Sequence, residues 1–269
     1  MTAAAVAFPM PPRRIGPIRT MRHSMTLTWR GLMRIKHSPG QIWDLAITPI
    51  IMVCVFVFLF GGAIGGGDRR GYLQFMLPGV MVQTVVFASL GTGTALHTDI
   101  TNGIFDRFRS LPIARSAPLI GAIFGDLFRY VVSVVVVLLF GIVLGFRIHT
   151  DPLRTLAAVG LVMAFATSLC WVTALFGLIA KSQQSLSGMG FLLMFPLTFG
   201  SNVFVPTSTL PGWMQGWVKL NPVTALTDAV RALLTGGPLL QPLWYAVMWT
   251  VAILVVFAPL AVRAYRNKT

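Results

Sequence analysis

The stretch "LIGAIFGDLFRYVVSVVVVLLFGIVLG", residues 119–145, is almost entirely apolar and contains only two charged residues, Asp126 and Arg129. About 20 mostly apolar residues are enough for a helix to cross the hydrocarbon core of a bilayer, which is about 30 Å thick. The apolar residues also follow one another without the alternation that a membrane β-strand would require. The stretch therefore predicts a membrane-spanning α-helix.

Five other runs in the chain have the same character. Of the 269 residues, 55% are hydrophobic and 10% are charged, and the mean hydropathy is +0.78, whereas about 25% of the residues in a soluble domain are charged. We expect an all-α integral membrane protein with a six-helix transmembrane domain at residues 44–264. The six predicted spans are approximately 45–64, 75–97, 119–145, 155–180, 187–205 and 243–262.

The basic residues indicate how these spans are oriented. The chain has 21 Lys and Arg but 7 acidic residues, all of them Asp, and a net charge of +14. In a soluble protein this charge would suggest nucleic acid, but here the basic residues lie mostly between apolar runs and report topology. Most of them fall in segments that share one side if the N-terminus is inside. We therefore expect a multi-pass protein of the plasma membrane with both termini cytoplasmic, including a short tail at 265–269.

Two different structures are expected before the first span. Residues 1–20 read as a disordered basic tail. Residues 21–43 combine apolar side chains such as Trp29 and Leu32 on one helical face with Arg30 elsewhere, which predicts an amphipathic helix lying in the headgroup layer.

A dense patch of charge, "NGIFDRFRSLP" at residues 102–112, separates the second and third predicted spans. Asn102 is a suitable cap, and Pro112 stops a helix. The apolar face of that helix would contain Ile104, Phe105, Phe108 and Leu111, and its polar face Asp106, Arg107, Arg109 and Ser110. The spacing predicts a short two-faced helix on the cytoplasmic membrane surface; the alternative is a basic loop that only fixes topology.

Asp126 and Arg129 lie three residues apart, close to the start of the third predicted span. Side chains at this spacing on a helix can pair, and a charge at that depth is costly unless it is paired or faces the bundle interior. We expect an ion pair here. Its role is either structural or the transmission of movement into the span.

The segment 206–237, after the fifth predicted span, is long for a simple loop. Asn221 and Pro222 would begin a helix in it, and Gly236 with Gly237 would end that helix. The helix is too short to cross the membrane, so we expect it to dip into the outer leaflet and return.

Several chemical functions find no support in the sequence. The chain has no G-x-x-x-x-G-K-[ST] phosphate loop, so ATP would have to be bound by a partner. The four His show no metal-ligand spacing, and Cys54 and Cys170 show neither a CxxC motif nor a His neighbour. We expect a transport subunit that is not an enzyme and that binds no cofactor, metal or nucleic acid.

Three ordered motifs make the sequence similar to a known family. They are "FDRFRSLPIARSAPLIGAIFGDLFR", "FPLTFGSNVFVPTSTLPGWMQ" and "NPVTALTDAVRALLTGG". Together they resemble the daunorubicin-resistance permeases, a branch of the type-2 ABC exporter membrane subunits. The resemblance implies a six-helix subunit that pairs with a second permease copy, identical or closely related, and with two separate ATPase subunits that carry ATP and Mg.

The resemblance also implies roles for particular residues. The segment centred on Phe108, from Ile104 to Pro112, would be the coupling helix that docks on the ATPase. Family members often have Glu in this region. Because this chain has none, an acidic contact to the partner would have to use Asp99 or Asp106, or be absent. Residues of the outer re-entrant helices would close the pathway externally: Pro206, Pro211, Trp213, Asn221, Pro222, Asp228 and Arg231.

The predicted function is export of hydrophobic or amphipathic compounds, as in drug or antibiotic efflux. Export of a lipid or glycolipid to the cell envelope is the alternative with the same architecture. A proton-coupled secondary transporter is an alternative of another class, but it would need titratable groups near the midplane, and Asp126 lies near a span end. A membrane scaffold without transport is a third interpretation.

Overall fold

The computed structural model describes residues 39–64, 67–103 and 117–268, and every regular element in these ranges is helical. The predicted all-α fold is therefore confirmed for this part of the chain. The predicted basic tail at 1–20 and the coupling helix lie outside the described residues. Of the predicted interfacial helix only 39–43 is described, and these residues begin the first helix.

Ten α-helices follow one another along the described residues. A π-helical turn, Phe56–Phe60, joins the first two, and a 3-10 turn, Thr207–Thr209, precedes the eighth. The helices are α1 Pro39–Val55, α2 Gly61–Ile64, α3 Arg69–Ala88, α4 Leu90–Thr101, α5 Ala117–Val143, α6 Pro152–Ile179, α7 Gln183–Phe199, α8 Gly212–Leu220, α9 Pro222–Thr235 and α10 Leu240–Lys268.

Four stretches of helix are long and apolar enough to cross a membrane: Arg69–Thr101, Gly125–Val143, Pro152–Ile179 and Leu240–Tyr265. They coincide with the second, third, fourth and sixth predicted spans. At the first span the apolar helical stretch is the shorter Ile47–Phe60. The fifth coincides with α7, which has 17 residues. The count of six spans stays a prediction.

The bounds of α7 differ from the predicted 187–205. The helix begins earlier because the Ser182 hydroxyl accepts a hydrogen bond from the amide of Ser185 and caps its first turn. It ends at Phe199, since the side-chain amide of Asn221 donates to the carbonyls of Leu197 and Gly200. These bonds satisfy carbonyl groups at the helix end, where no next turn supplies a donor.

The long helical stretch Arg69–Thr101, which corresponds to the second predicted span, is interrupted at Ser89 between α3 and α4. The Ser89 hydroxyl donates to the carbonyl of Val86 at 2.7 Å, and the Ser89 carbonyl accepts from the Thr173 hydroxyl of α6 at 2.8 Å. A backbone carbonyl buried in an apolar bundle is costly without a donor. The interruption is therefore fixed by a side chain of the neighbouring helix.

Helices α4 and α6 approach each other with their backbones nearly in contact. A Cβ atom at Gly93 would overlap the carbonyl of Thr173, and a Cβ at Gly177 would overlap the carbonyl of Gly93. Small residues permit such close approach, which is a main source of helix association in lipid. Helix α6 also packs against α9 and α10, so it is the centre of the described bundle.

Large apolar side chains cover much of the outer surface of this bundle. Leu192 of α7 is 77% exposed and Val255 of α10 is 64% exposed. Apolar surface of this extent would be unfavourable in water, whereas a lipid environment accepts it. The surface agrees with the integral membrane fold predicted from the sequence.

The close contact between α4 and α6 predicts the effect of a single methyl group. Gly93→Ala should lower the stability of the purified protein by about 2 kcal/mol, because overpacking against a backbone atom cannot be relieved by side-chain rotation. The control is Gly160→Ala in α6, where a Cβ would meet no atom within 4 Å. Thermal unfolding in detergent should separate the two variants; equal melting temperatures would contradict the contact.

Candidate functional site

A cleft of about 570 Å³ lies between helices α1, α3, α5 and α7. Its size falls within the range of about 300–1,000 Å³ that is typical of sites for small molecules. Most of its walls are apolar. The lining residues are Thr48, Pro49, Met52, Gln83, Thr84, Phe87, Ala88, Arg129, Ser133, Phe191, Phe195 and Phe199.

A series of aromatic rings runs from one wall of the cleft to the π-helical turn; we refer to it as the aromatic ladder. Three of its rings recur every four residues on α7, which places them on one helical face. Successive ring centroids are 5.0, 4.5, 5.6, 3.9 and 5.3 Å apart along Phe191, Phe195, Phe199, Phe204, Phe56 and Phe60. The ladder offers flat apolar faces beside the cleft.

The polar side chains that line the cleft differ in their hydrogen bonding. The Thr84 hydroxyl donates to the carbonyl of Val80 at 2.8 Å. The side-chain amide of Gln83 is buried, and neither its nitrogen nor its oxygen has a hydrogen-bond partner in the described part of the chain. The Nε atom of Arg129 is likewise buried without a partner there. The cleft thus contains polar groups that no residue in the described part of the chain satisfies.

The expected ion pair between Asp126 and Arg129 is present, with Nη1 of Arg129 lying 3.1 Å from Oδ1 of Asp126. The other carboxylate oxygen, Oδ2, accepts a hydrogen bond of 2.7 Å from the Thr92 hydroxyl of α4. Asp126 is buried, and a buried carboxylate requires both charge compensation and hydrogen bonds. Arg129 and Thr92 meet these two requirements from different helices.

Thr92 also contacts two further polar side chains. Its Oγ1 atom lies 2.8 Å from the hydroxyl oxygen of Tyr130 and 3.5 Å from the sulfur of Cys170. A hydroxyl has one proton, and the short contact to Asp126 takes it, so Tyr130 donates to Thr92. We call Thr92, Asp126, Arg129, Tyr130 and Cys170 the Thr92 cluster; it joins α4, α5 and α6.

The end of α4 leads directly toward the predicted coupling helix. Helix α4 ends at Thr101, and the amide of Asn102 donates to the carbonyl of Thr98, so Asn102 belongs to the end of this helix. Gly103 follows with a positive φ of 65°, a conformation that glycine adopts without strain. The predicted interface from Ile104 to Pro112 lies outside the described residues.

A second polar cluster joins α9 to α3 and to the segment after α7; we call Asn202, Asp228 and Arg231 the Arg231 cluster. Oδ1 of Asp228 accepts from Nη1 of Arg231 at 2.6 Å and from the Asn202 amide at 2.7 Å. Nε of Arg231 donates to the Phe75 carbonyl at 3.0 Å, and the guanidinium lies 4.0 Å from the centre of the Phe75 ring. Arg231 thus ties three segments together.

Arg231 keeps its positive charge although its side chain is buried. Removal from water lowers the pKa of the guanidinium to about 10, while the neighbouring Asp228 carboxylate acts in the opposite direction. The side chain is therefore protonated at neutral pH.

The other residues expected in the segment 206–237 divide into two groups. Asn221 caps α9 by accepting from the amide of Val223, Pro222 is the first helical residue, and Gly236 follows the last, so the predicted limits of this helix are confirmed. Pro206 precedes the 3-10 turn, Pro211 precedes α8, and Trp213 is 80% exposed. The structure brings Asn221, Asp228 and Arg231 against the bundle, whereas Pro211 and Trp213 lie on its surface.

The expected absence of metal and disulfide chemistry can be examined only where the structure describes the chain. In residues 39–64, 67–103 and 117–268 no group of three His, Cys, Asp or Glu could hold a metal ion. Cys54 and Cys170 are both free thiols. Cys170 is buried in the Thr92 cluster.

Three features of the site were not anticipated from the sequence. Thr92 and Asn202 are common residue types with no signal of their own. Gln83 is an amide inside an apolar helix, and that contrast could have identified it. The aromatic ladder could have been recognised in part, because Phe191, Phe195 and Phe199 recur at helical spacing.

Comparison with known proteins identifies the group to which the chain is similar. Residues 22–235 match the family model described as ABC-2 type transporter. The chain is 41% identical to the daunorubicin resistance ABC transporter permease protein DrrB1 of Streptomyces coeruleorubidus, over 94% of this chain and 89% of that protein.

More distant relatives come from other bacteria. The probable doxorubicin resistance ABC transporter permease protein DrrC of Mycobacterium tuberculosis is 25% identical, over 83% of this chain and 81% of that protein. The inner membrane transport permease YadH of Escherichia coli is 24% identical, over 77% of this chain and 84% of that protein.

The Arg231 cluster predicts a loss of stability on removal of its cation. Arg231→Leu should destabilise the protein by about 2 kcal/mol, since it removes the cation that pairs with Asp228 and the side-chain donor to the Phe75 carbonyl. The matched control is Arg154→Leu, at an exposed position near the start of α6. Thermal unfolding should show a lower melting temperature for Arg231→Leu alone; a melting temperature equal to that of the control would contradict the assigned contacts.

Proposed function

Because this chain belongs to the ABC-2 type transporter family, we propose that it is the permease subunit of an ATP-driven exporter that moves hydrophobic or amphipathic compounds out of the cell. The observation that supports this proposal best is the cleft of about 570 Å³ among apolar helices. The cleft has the size and the lining of a site for a drug-sized molecule. The chain would be a multi-pass protein of the plasma membrane with both termini cytoplasmic.

The lining of the cleft favours drug-like compounds as cargo. The rings of Phe87, Phe191, Phe195 and Phe199 supply flat apolar surface, and aromatic rings pack well against other rings in offset or edge-to-face arrangements. Resistance to daunorubicin or doxorubicin is part of the names of two of the relatives. A lipid or glycolipid is the second candidate cargo, because an acyl chain would use the same apolar walls.

The energy for transport would come from partner subunits. The chain has no phosphate loop of its own, so ATP and Mg would be bound by two ABC ATPase subunits, and a second permease copy would complete the membrane part. Switching a two-state protein from 1:99 to 99:1 needs about 5.5 kcal/mol of differential binding. Nucleotide bound between two ATPases can supply free energy on this scale.

Coupling would begin at the charged helix between α4 and α5. The helix centred on Phe108, from Ile104 to Pro112, would dock on the ATPase and transmit its movement to both neighbouring helices. Asp126 and Arg129 lie in the first half of α5 and connect it through Thr92 to α4. Movement of α5 would therefore change the position of Arg129, which lines the cleft.

The opposite end of the pathway would be closed by the segment 206–237. The Arg231 cluster ties α9 to α3 and to the end of α7, and α7 forms one wall of the cleft. Opening toward the outside would require these contacts to loosen. Proton coupling is less favoured than ATP coupling, because the carboxylate of Asp126 is paired with Arg129.

The coupling helix can be tested with a double variant. Phe108→Ala with Arg109→Ala should abolish co-purification with the partner ATPase and cargo-stimulated, vanadate-sensitive ATPase activity in liposomes, because the family resemblance places both residues in the segment that docks on the ATPase. The control is Phe58→Ala with Arg70→Ala, which removes the same two residue types at exposed positions in other parts of the chain.

Two outcomes would count against the proposal. Unchanged ATPase association and transport in the double variant would show that this segment does not couple. Transport by the wild-type chain that needs no ATPase and stops with a protonophore would replace the ABC mechanism with a proton-coupled one.

A further inference from the structure

We propose that α8 is a membrane-interface anchor, whose exposed apolar face lies in the headgroup layer of the phospholipid bilayer and holds the neighbouring end of α7 at a fixed depth. This lipid contact goes beyond the proposed export function and depends neither on the cargo nor on the ATPase. It also gives a different role to Trp213, which the sequence placed among the residues that close the pathway.

The exposed side of α8 is the central observation. With 3.6 residues per turn, four residues fall within a sector of about 100° on this helix. We call these residues, Trp213, Gly216, Trp217 and Leu220, the α8 stripe. Trp213 is 80% exposed, Trp217 is 50% exposed and Leu220 is 71% exposed. A contiguous apolar surface that is left uncovered by its own chain is typical of contact with a membrane or a protein.

The other side of α8 is attached to the bundle. Val218 is fully buried, and the side-chain amide of Gln215 donates to the carbonyl of Leu210 at 2.9 Å. A Cβ atom at Gly200 would overlap Nε1 of the Trp217 indole, so one edge of this ring packs on the residue that follows α7. The rest of the stripe points away from the packed side of the helix.

Length and residue type favour the headgroup layer over the hydrocarbon core. Helix α8 has nine residues and is about 14 Å long, so it cannot cross a core of about 30 Å. Trp is enriched at the membrane–water interface, because its ring is apolar and its N–H group needs a polar partner. The stripe therefore has the composition of a helix that lies in the plane of the interface.

The charge of α8 is complementary to phospholipid. The helix contains Lys219 and no acidic residue. The ion pairs within the described ranges join Asp126 to Arg129 and Asp228 to Arg231, so Lys219 has no acidic partner there. A Lys beside an apolar face can lay its stem along that face and extend its ammonium group to a phosphate. The headgroup layer supplies this anion.

The area of the stripe favours lipid over a second copy of the chain. One aromatic side chain buries about 150–250 Å², and each partner of a specific protein interface contributes about 800 Å². Two partly exposed Trp rings and one Leu offer less than this area. The stripe by itself is therefore too small to hold two copies together, whereas a lipid surface covers a patch of any size.

Anchoring of α8 has a consequence for the cleft. Trp217 contacts Gly200, and the residue before it, Phe199, is the last of α7 and lines the cleft. The depth of α8 in the interface thus fixes the end of one cleft wall. The lipid contact would keep this end in place while other helices move.

The test measures the depth of a nitroxide on the α8 stripe. Gly216→Cys provides the attachment site, because a Cβ at Gly216 would meet no atom within 4 Å. Cys54→Ala removes the more accessible native thiol, and Cys170 is fully buried. The labelled full-length permease is reconstituted in liposomes of phosphatidylethanolamine and phosphatidylglycerol. EPR power saturation should show more access for molecular oxygen than for a water-soluble nickel chelate, and place the label about 5–10 Å below the phosphates.

Two further labelled positions calibrate the depth. Val255→Cys, at a 64% exposed position of the long apolar helix α10, should give the oxygen-dominated signal of the bilayer core. Lys219→Cys, at the edge of the stripe, should be more accessible to nickel than Gly216→Cys. The Cys54→Ala protein without an added cysteine should carry no label.

The contribution of Trp213 is measured with the label at Gly216→Cys. Trp213→Gln should shift the label toward the aqueous phase, because it removes an apolar ring from the stripe. Its melting temperature should stay that of the parent protein, since the ring is 80% exposed. Trp213→Phe keeps an apolar ring and should leave the depth close to that of the parent.

Three outcomes would overturn the proposal. Predominant access of nickel to Gly216→Cys would show that α8 faces water. Low access of both reagents would show that protein, such as a second permease copy, covers the stripe. An unchanged depth in Trp213→Gln would exclude this residue as an anchor. Because the assay contains neither ATPase nor cargo, its result is independent of whether ATP-driven transport is observed.

Discussion

The hydrogen bond between the Thr92 hydroxyl and the Asp126 carboxylate is the constraint on which much of the bundle depends. A carboxylate buried among apolar helices must be compensated, and Thr92 and Arg129 do this from two sides. The same hydroxyl accepts from Tyr130 and contacts Cys170. One buried charge therefore fixes three helices relative to one another. It also holds Arg129 in place, and this side chain lines the cleft.

This arrangement separates a rigid part of the molecule from a part that could move. The near contact of Gly93 with Gly177 leaves α4 and α6 little freedom, because their backbones already touch. Phe75, which binds Arg231, and Thr92 lie about 25 Å apart along the helical rise. The cleft lies between these two ends, so we propose that movement of α5 at one end is converted into a change of the cleft.

The sequence predicted features that depend on spacing within one helix. The pair Asp126 and Arg129, and the limits of α9 at Asn221 and Gly236, were found because caps and neighbouring turns are encoded locally. Apolar runs also located the four long spans.

Contacts between helices could not be predicted in the same way. A uniformly apolar helix does not indicate which face meets its neighbour, so Thr92 and the glycine contact of α4 with α6 gave no signal. Glycines in α5 likewise do not reveal by position alone which of them meets a neighbouring helix. A Cβ at Gly141 would overlap the Leu77 side chain of α3, whereas a Cβ at Gly125 would meet no atom within 4 Å.

We propose that nucleotide bound at a partner ATPase changes the width of the cleft. Spin labels at Ile51 of α1 and Leu192 of α7, two exposed positions beside it, would measure this width in a Cys54→Ala background. Labelled permease would be diluted with unlabelled permease in the full complex. We predict that trapping with ATP and vanadate shifts the distance by about 5 Å, the scale of one helical turn. An identical distance distribution in the nucleotide-free and trapped complexes would contradict the account.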